Sequence, residues 1–542
     1  MRRHFQAFQL ALGFGALYLL LRSRQYMAVD GTLRCLDVYF HPAVRLHGNN
    51  HMLYPFWIWL WTRVPSLAGH PISDPLAFVS ASQAMNAVAS AITVGLLYSL
   101  LRAIAGNAYA LLGSLLFGFS TAVVLHATNS AEPVVGLMFS MGAAVALVPA
   151  LLRNSKPLLF LTGILLALAL ASYQSMVLIA PAIALFCLAW PVTGEQRWRT
   201  PAMRLLTVAA GGATGVIVIY GWAYARQGVP WLQMPTKFLA IGGGPEIYAY
   251  WSVSKLVNFP LGYVRNLYFG LPSDYRGIRS LLRHPQRSLW IASVLFGFAV
   301  LTHVWYLIGT GLVAAVRRSG LSKMLLGAGI PIAMLAVVFP LLYWGPYDKL
   351  WLQPLALFVV AGGFAFGRAG LSQGRRRALV AGLGVLLVAE VGVNLPQAIA
   401  DHIHPTPGLN EAREFAAMVG PRDAVVLAFD DISTLWVTFW GQDANVLLLP
   451  ASRYREAAEW LARTEKDETQ RGGSLYFVGV LDQDRKTWDD FLGNRIGIPY
   501  SSFETYRQRA ARVREYRVRG VLVAVCRLSF AGSAPLPAEV RP

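Results

Sequence analysis

Charge is scarce in this chain. Only 14% of its 542 residues are Asp, Glu, Lys or Arg, where a soluble protein carries about 25%. Hydrophobic residues make up 55% and aromatics 12%, and the mean hydropathy is +0.47. An ordinary soluble fold is excluded, and a polytopic membrane protein is implied. Cysteine is nearly absent too. Cys35, Cys187 and Cys526 have no metal-ligand spacing, and three thiols build no disulfide framework. At most one bridge, Cys35 to Cys526, is to be expected.

Acidic residues are missing from most of the chain. Nineteen of the 28 lie beyond residue 400. The first 400 residues hold nine: Asp30, Asp37, Asp74, Glu132, Glu195, Glu246, Asp274, Asp348 and Glu390. A Gly-rich phosphate loop is also lacking: "GGGP", Gly242–Pro245, reads as a turn. The net charge of +19 is spread over short loops between apolar runs, where it sets topology. Nucleic acid is therefore no partner, whereas an anionic lipid surface is.

What is present is a series of apolar runs. A spanning helix needs about 20 apolar residues, and about eleven candidates meet that need. They fall near 5–21, 77–101, 108–125, 133–152, 157–172, 176–190, 205–224, 288–316, 324–345, 350–367 and 378–394. No small-residue cleavage site follows the first, so it reads as an uncleaved helix. Arg2 and Arg3 precede it. Every second loop is short and basic: Arg102; Arg153 and Lys156; Arg197, Arg199 and Arg204; Arg317, Arg318 and Lys323; Arg368 and Arg375 to Arg377. Those loops belong in the cytoplasm. The N-terminus is then inside and the C-terminus outside.

The long segments lie on the outer side: loops 23–75 and 225–287 and the tail beyond residue 400. The second loop mixes aromatics with Lys255 and Arg265, a composition suited to the membrane interface. In the tail, "DAVVLAF", "ANVLLLP", "SLYFVGVL" and "GVLVAVCRL" are strand-like. "SRYREAAEWLARTEKDE" and "DRKTWDDFLG" between them are helical. Alternating strands and helices predict a small soluble α/β domain over 401–542. Its acids, such as Asp430, Asp431, Asp489 and Asp490, read as surface or caps.

In this topology seven of the nine early acids sit in outer loops. Glu390 lies near the outer end of the last helix, and only Glu195 is cytoplasmic. Solvated loops tolerate acids, so part of the clustering needs no function. Asp30 and Glu132, however, sit at helix ends, where an isolated carboxylate is costly unless it pairs, binds a cation or does chemistry. Asp37 follows Asp30 by seven residues, on the same face of a helix. His47 and His51 have the spacing of a helical metal pair, but Gly48, Asn49 and Asn50 argue against a helix there. His51 suits an anionic group better. "MLYPFWIWLWTRV" after it looks like an aromatic interface helix. Lys349 in "GPYDKLWLQP" is either a snorkelling lysine or a contact for a lipid phosphate.

These elements resemble the GT-C superfamily of membrane glycosyltransferases, including the protein O-mannosyltransferases. "VDGT" with Asp30, followed by "HMLYP" with His51 and Tyr54, is similar to the first outer loop of that superfamily. "NSAEPVV" with Glu132 is similar to its second, acid-bearing loop. "LALASYQSMVLIAPA", with Tyr173 and Gln174, resembles the helix pair that follows, and "YDKLWLQPLALFVVAGG" the late element near the lipid carrier. The resemblance spans residues 1–400 and implies a helical GT-C-like membrane domain. It also implies a sugar donor linked to polyprenyl phosphate, an acceptor that is a glycan, lipid or protein, and transfer outside the cytoplasm of a bacterial inner membrane. Asp30 takes the place of the base and Glu132 of the second acid. Asp37, His47, His51, Tyr54, Tyr173, Gln174 and Lys349 are the expected substrate contacts. The paired acids of the O-mannosyltransferases are replaced by "DG", so a divalent metal stays an open possibility and no other cofactor is implied. The main rival is a transporter or flippase, which would place ionisable groups within the spans. Only Glu390, and more weakly His303, fit that pattern.

Overall fold

The computed structural model describes residues 2–24, 30–40, 52–67, 74–190, 199–226, 228–234, 351–368, 372–428, 431–441, 444–449, 454–489, 498–518 and 521–530, with a few single positions elsewhere. The chain divides into two compact units. One holds most of the chain up to Ile403. The other holds His404–Pro542 with two short pieces, Gln25–Ala28 and Asp74–Leu76.

The first unit is helical. Helix α1 (Arg2–Leu20) is almost wholly apolar beyond Gln9. Its Phe14 and Tyr18 are buried, while Phe5, Phe8, Leu12 and Leu20 are exposed. An exposed face of that kind suits lipid. Helices α2 (Asp30–Phe40) and α3 (Tyr54–Leu67) are short. Along α3, Leu60, Val64 and Leu67 form an exposed apolar stripe. Helix α4 (Pro75–Ala105) is long. After it, α5 (Asn107–Phe119) and α6 (Thr121–Thr128) meet at a 60° bend. Next come α7 (Pro133–Leu152), α8 (Lys156–Ser172), a 3-10 segment (Gln174–Ile179), α9 (Ala180–Ala189) and α10 (Arg199–Arg226). The unit closes with α11 (Leu352–Arg368) and α12 (Gln373–Ile403).

Two packing devices follow from the sequence. A bend frees backbone groups that must find partners in an apolar setting. Here Asn394 of α12 supplies them: its Nδ2 donates to the Phe119 carbonyl at 2.8 Å, and its Oδ1 accepts from the Thr121 hydroxyl at 2.9 Å. The second device joins α8 to α10. A methyl group on Gly163 would collide with the Val208 carbonyl oxygen, and one on Gly211 with the Phe160 carbonyl oxygen. Small residues let the two backbones touch, as membrane helices require.

The expected count of eleven spans is not confirmed among the described residues. Among the described residues four helices are long and apolar enough to cross a membrane, or five with α5–α6 as one bent span. The apolar helices 5–20, 156–172, 174–188 and 352–364 are shorter, because 3-10 turns and loops cut the runs. The expected spans near 288–316 and 324–345, and the outer loop 225–287 with Lys255 and Arg265, fall largely outside the described residues. The expected bridge between Cys35 and Cys526 is absent: both thiols are free and buried. Cys35 lies in the core of α2 and Cys526 in a central strand, where each packs as a small apolar side chain.

The second unit carries a five-stranded sheet in the order β2-β1-β3-β5-β4. Strands β1 (Ala424–Leu427), β2 (Asn445–Leu448) and β3 (Ser474–Val478) run parallel. Strand β5 (Val521–Ser529) pairs antiparallel with β3, and β4 (Ala511–Val518) antiparallel with β5. Helices α13 (Leu409–Met418), α14 (Asp431–Phe439), α15 (Tyr454–Arg471), α16 (Arg485–Trp488) and α17 (Glu504–Arg509) complete it. Its core gathers Val426, Leu461, Phe477, Trp488 and Phe503.

Candidate active site

Several helices of the first unit end together around the segment Asn129–Glu132. After α1 the chain is pinned on three sides. The Ser23 amide donates to the Thr128 carbonyl at 3.0 Å, and the Arg24 amide to the Asp401 carbonyl at 2.9 Å. The Ser23 carbonyl accepts from Gln83 Nε2 at 3.1 Å. This anchored stretch leads towards Asp30, the first residue of α2. A methyl group on Gly31 would collide with the Ser130 carbonyl oxygen. Lacking a side chain, Gly31 lets α2 seat directly on the second acid's loop.

A polar network fills the junction. The Ser130 hydroxyl donates to the Gly31 carbonyl at 3.1 Å. Ser82 and Tyr54 approach the same hydroxyl oxygen at 2.9 and 3.2 Å. Its one proton is taken by Gly31, so both neighbours donate to it. From α4, Asn86 Nδ2 reaches the Asn129 carbonyl at 2.9 Å, the Ala131 carbonyl at 3.0 Å and the Tyr54 hydroxyl at 3.3 Å. All four side chains are buried. Glu132 is buried as well, and its Oε1 lies 3.9 Å from Arg34 Nε on α2. The Arg34 side chain is 38% exposed and that of Glu132 only 1%.

The end of α8 joins this cluster. The Leu53 amide donates to the Ala171 carbonyl at 2.9 Å, and Trp57 Nε1 to the Ser172 hydroxyl at 3.1 Å. A methyl group on Gly136, one turn into α7 from Glu132, would come 3.0 Å from Tyr173 Cβ and 3.1 Å from Met176 Cγ. Gln353, at the start of α11, donates from Nε2 to the Met176 carbonyl at 3.1 Å. The late element that follows Lys349 is thereby tied to the Tyr173–Gln174 break.

Residues 77–222, from α4 into α10, match the family model described as dolichyl-phosphate-mannose-protein mannosyltransferase. No curated protein sequence matches the chain. Solved structures do. ArnT from Cupriavidus metallidurans in the apo state aligns with a TM-score of 0.55 at 10% identity, over 98% of both chains. The same protein bound to undecaprenyl phosphate gives 0.53 at 10%, over 98% of this chain and 99% of that one. The archaeal oligosaccharyltransferase AglB from Archaeoglobus fulgidus, in complex with an inhibitory peptide and a dolichol-phosphate, gives 0.51 at 12%, over 98% and 75%. The chain shares the fold of these membrane glycosyltransferases, and its residues 77–222 match the mannosyltransferase model.

The start of α2 with Asp30, Glu132, Tyr54 and Tyr173 are gathered at one end of the first unit. Asp37 is half-buried two turns along α2 from Asp30, and Gln174 is half-buried at the 3-10 segment. His47, His51 and Lys349 lie outside the described residues. Four participants escaped the sequence reading: Asn86, Ser82, Arg34 and Gln353. Ser82, Gln83 and Asn86 stand out as polar side chains on one face of an otherwise apolar helix, and that signal could have found them. Arg34, four residues after Asp30, carries no such signal. Among the described residues no three His, Cys, Asp or Glu side chains come together as a metal set.

Proposed function

We propose that this enzyme moves a sugar from a polyprenyl-phosphate donor to a glycan, lipid or protein acceptor on the outer face of a bacterial inner membrane, with Asp30 as base. The observation that carries the reading is the seating of the Asp30 helix on the Glu132 loop, which puts the two acid-bearing segments in contact. The donor chemistry follows the relatives that hold undecaprenyl phosphate and dolichol-phosphate.

A phosphate-linked sugar is already activated. Asp30 takes the acceptor's proton as the acceptor atom attacks the anomeric carbon. The bond from that carbon to the phosphate oxygen breaks, and polyprenyl phosphate leaves with its extra negative charge. Cations must meet that charge. Lys349 is one. Arg34 is the second: Glu132 holds its guanidinium from the buried side, and its remaining surface is open to a phosphate. Asp37, His47, His51 and Gln174 contact the sugar or acceptor. Tyr54 and Tyr173, both buried, shape the walls. The tail helps to bind the acceptor.

Purified protein in nanodiscs, supplied with a panel of radiolabelled polyprenyl-phosphate sugars and membrane extract as acceptor, tests this. Wild type should release polyprenyl phosphate and label the acceptor from at least one donor. Labelling from a nucleotide sugar alone would sink the proposal.

A further inference from the structure

Asn86 lies on α4, outside both acid-bearing segments, and is fully buried. Its two nearest partners, the Asn129 and Ala131 carbonyls at 2.9 and 3.0 Å, can only accept, so its amide must present the nitrogen there. The two carbonyls flank Ser130, in the short link between α6 and α7. One amide thus fixes two peptide planes immediately before Glu132. Its Oδ1 has no hydrogen-bond partner among the described residues. The nitrogen carries the interactions at this position.

The same nitrogen begins a directional chain. It shares one of its two protons with the Tyr54 hydroxyl at 3.3 Å, Tyr54 donates to Ser130, and Ser130 to the Gly31 carbonyl beside Asp30. Ser82, one turn before Asn86 on α4, adds a second donor to Ser130 at 2.9 Å. Such chains reinforce one another where water is absent.

We infer that Asn86 is a positioning residue, which sets the Glu132 loop and, through Tyr54 and Ser130, the seat of the Asp30 helix, without touching substrate. The inference rests on the proposed glycosyl transfer for its consequence, but not for its first test. Without Asn86 the loop relaxes, the contact of Glu132 with Arg34 at 3.9 Å loses its geometry, and α2 loses its fixed partner. A displacement near 1 Å in such a site costs about 100-fold in rate.

The test uses the full-length protein in nanodiscs, as Asn86→Ala, Ser82→Ala, Glu132→Gln and the Asn86→Ala/Glu132→Gln double variant. Hydrogen exchange comes first and needs no substrate. In Asn86→Ala, peptides covering 129–132 should exchange at least about tenfold faster, while those of α10 and the tail keep wild-type protection. Undecaprenyl phosphate alone should still bind within about twofold, while kcat with the donor that wild type accepts should fall roughly 10–100-fold. Since part of the effect of Asn86 runs through Glu132, the double variant should lose clearly less than the product of the two single losses; a merely structural role would multiply them. Should Asn86→Ala fail to fold, Ser82→Ala must show the same local loosening to a smaller degree. Unchanged exchange at 129–132, kcat within about twofold of wild type, or multiplied losses in the double variant would each overturn the inference. Wild type that uses no polyprenyl-phosphate sugar would sink the proposed function, and the exchange result would still decide what Asn86 does to the loop.

Discussion

A methyl group at Gly31 has nowhere to go but into the Ser130 carbonyl. Gly31→Ala should therefore push α2 off the loop and lower transfer by about 100-fold, with donor binding by undecaprenyl phosphate largely kept. Asp30→Asn keeps shape and removes the base, so transfer should fall by roughly 10²–10⁴-fold while expression persists. Asp37→Asn, two turns along α2, is the control and should lose much less. If Asp37→Asn abolishes transfer and Asp30→Asn does not, the wrong acid has been assigned as base. A pH effect is expected in the tail. Burial first, and then the nearby Asp423 carboxylate, raise the pKa of Glu468 above its ordinary range; Arg471 opposes this. A carboxyl raised on folding stabilises below its unfolded pKa, and that stability is lost as pH rises through the folded value. The thermal transition of the tail in full-length protein should therefore fall between acid and neutral pH, and Glu468→Gln should flatten the slope.

At the scale of elements, the backbone contact of α8 with α10 is the most exacting. Gly163 and Gly211 each face a carbonyl of the partner helix, so a branched side chain must separate the helices. Overpacking costs about 1–3 kcal/mol where side chains can yield, and here the obstacle is backbone. Gly211→Val should lower the thermal transition of the membrane unit more than Gly212→Val, since the nearest atom to a methyl on Gly212 is 3.7 Å away. Equal shifts would show that the close approach does not matter. Of the tail's strands, the four apolar runs were legible and β4 was not. "ARVREYRV" is charged at Arg512, Arg514, Glu515 and Arg517 because it forms the sheet edge, where charges guard an unpaired ladder. Its bulge between Arg512 and Arg514 also breaks the alternation by which a strand is recognised.

For the whole molecule, α12 is the helix on which the proposed sidedness is best tested. Its 31 residues span about 46 Å as a helix, more than the roughly 30 Å of a bilayer core. Reporters fused at Arg376 and after Pro405 should therefore fall on opposite sides, with Arg376 in the cytoplasm. Two cytoplasmic signals would remove the outer-face reaction. A chain ending near Ile403 should keep binding undecaprenyl phosphate and lose transfer to acceptor. Lost lipid binding in a folded, inserted truncation would contradict the acceptor role of the tail.

Composition alone made this a membrane protein, because so few charges cannot cover a soluble surface of 542 residues. The spacing of apolar runs placed most of the described helices within a few residues, since length and hydropathy are local properties. The lone acids at helix ends marked Asp30 and Glu132 by the same local reasoning. Only the tertiary structure decided that the Asp30 helix seats on the Glu132 loop, that Gly31 permits it, and that Asn86, Ser82 and Arg34 belong to the same place. Those are contacts between segments remote in sequence, and no periodicity records which polar face of one buried helix meets which carbonyl of another.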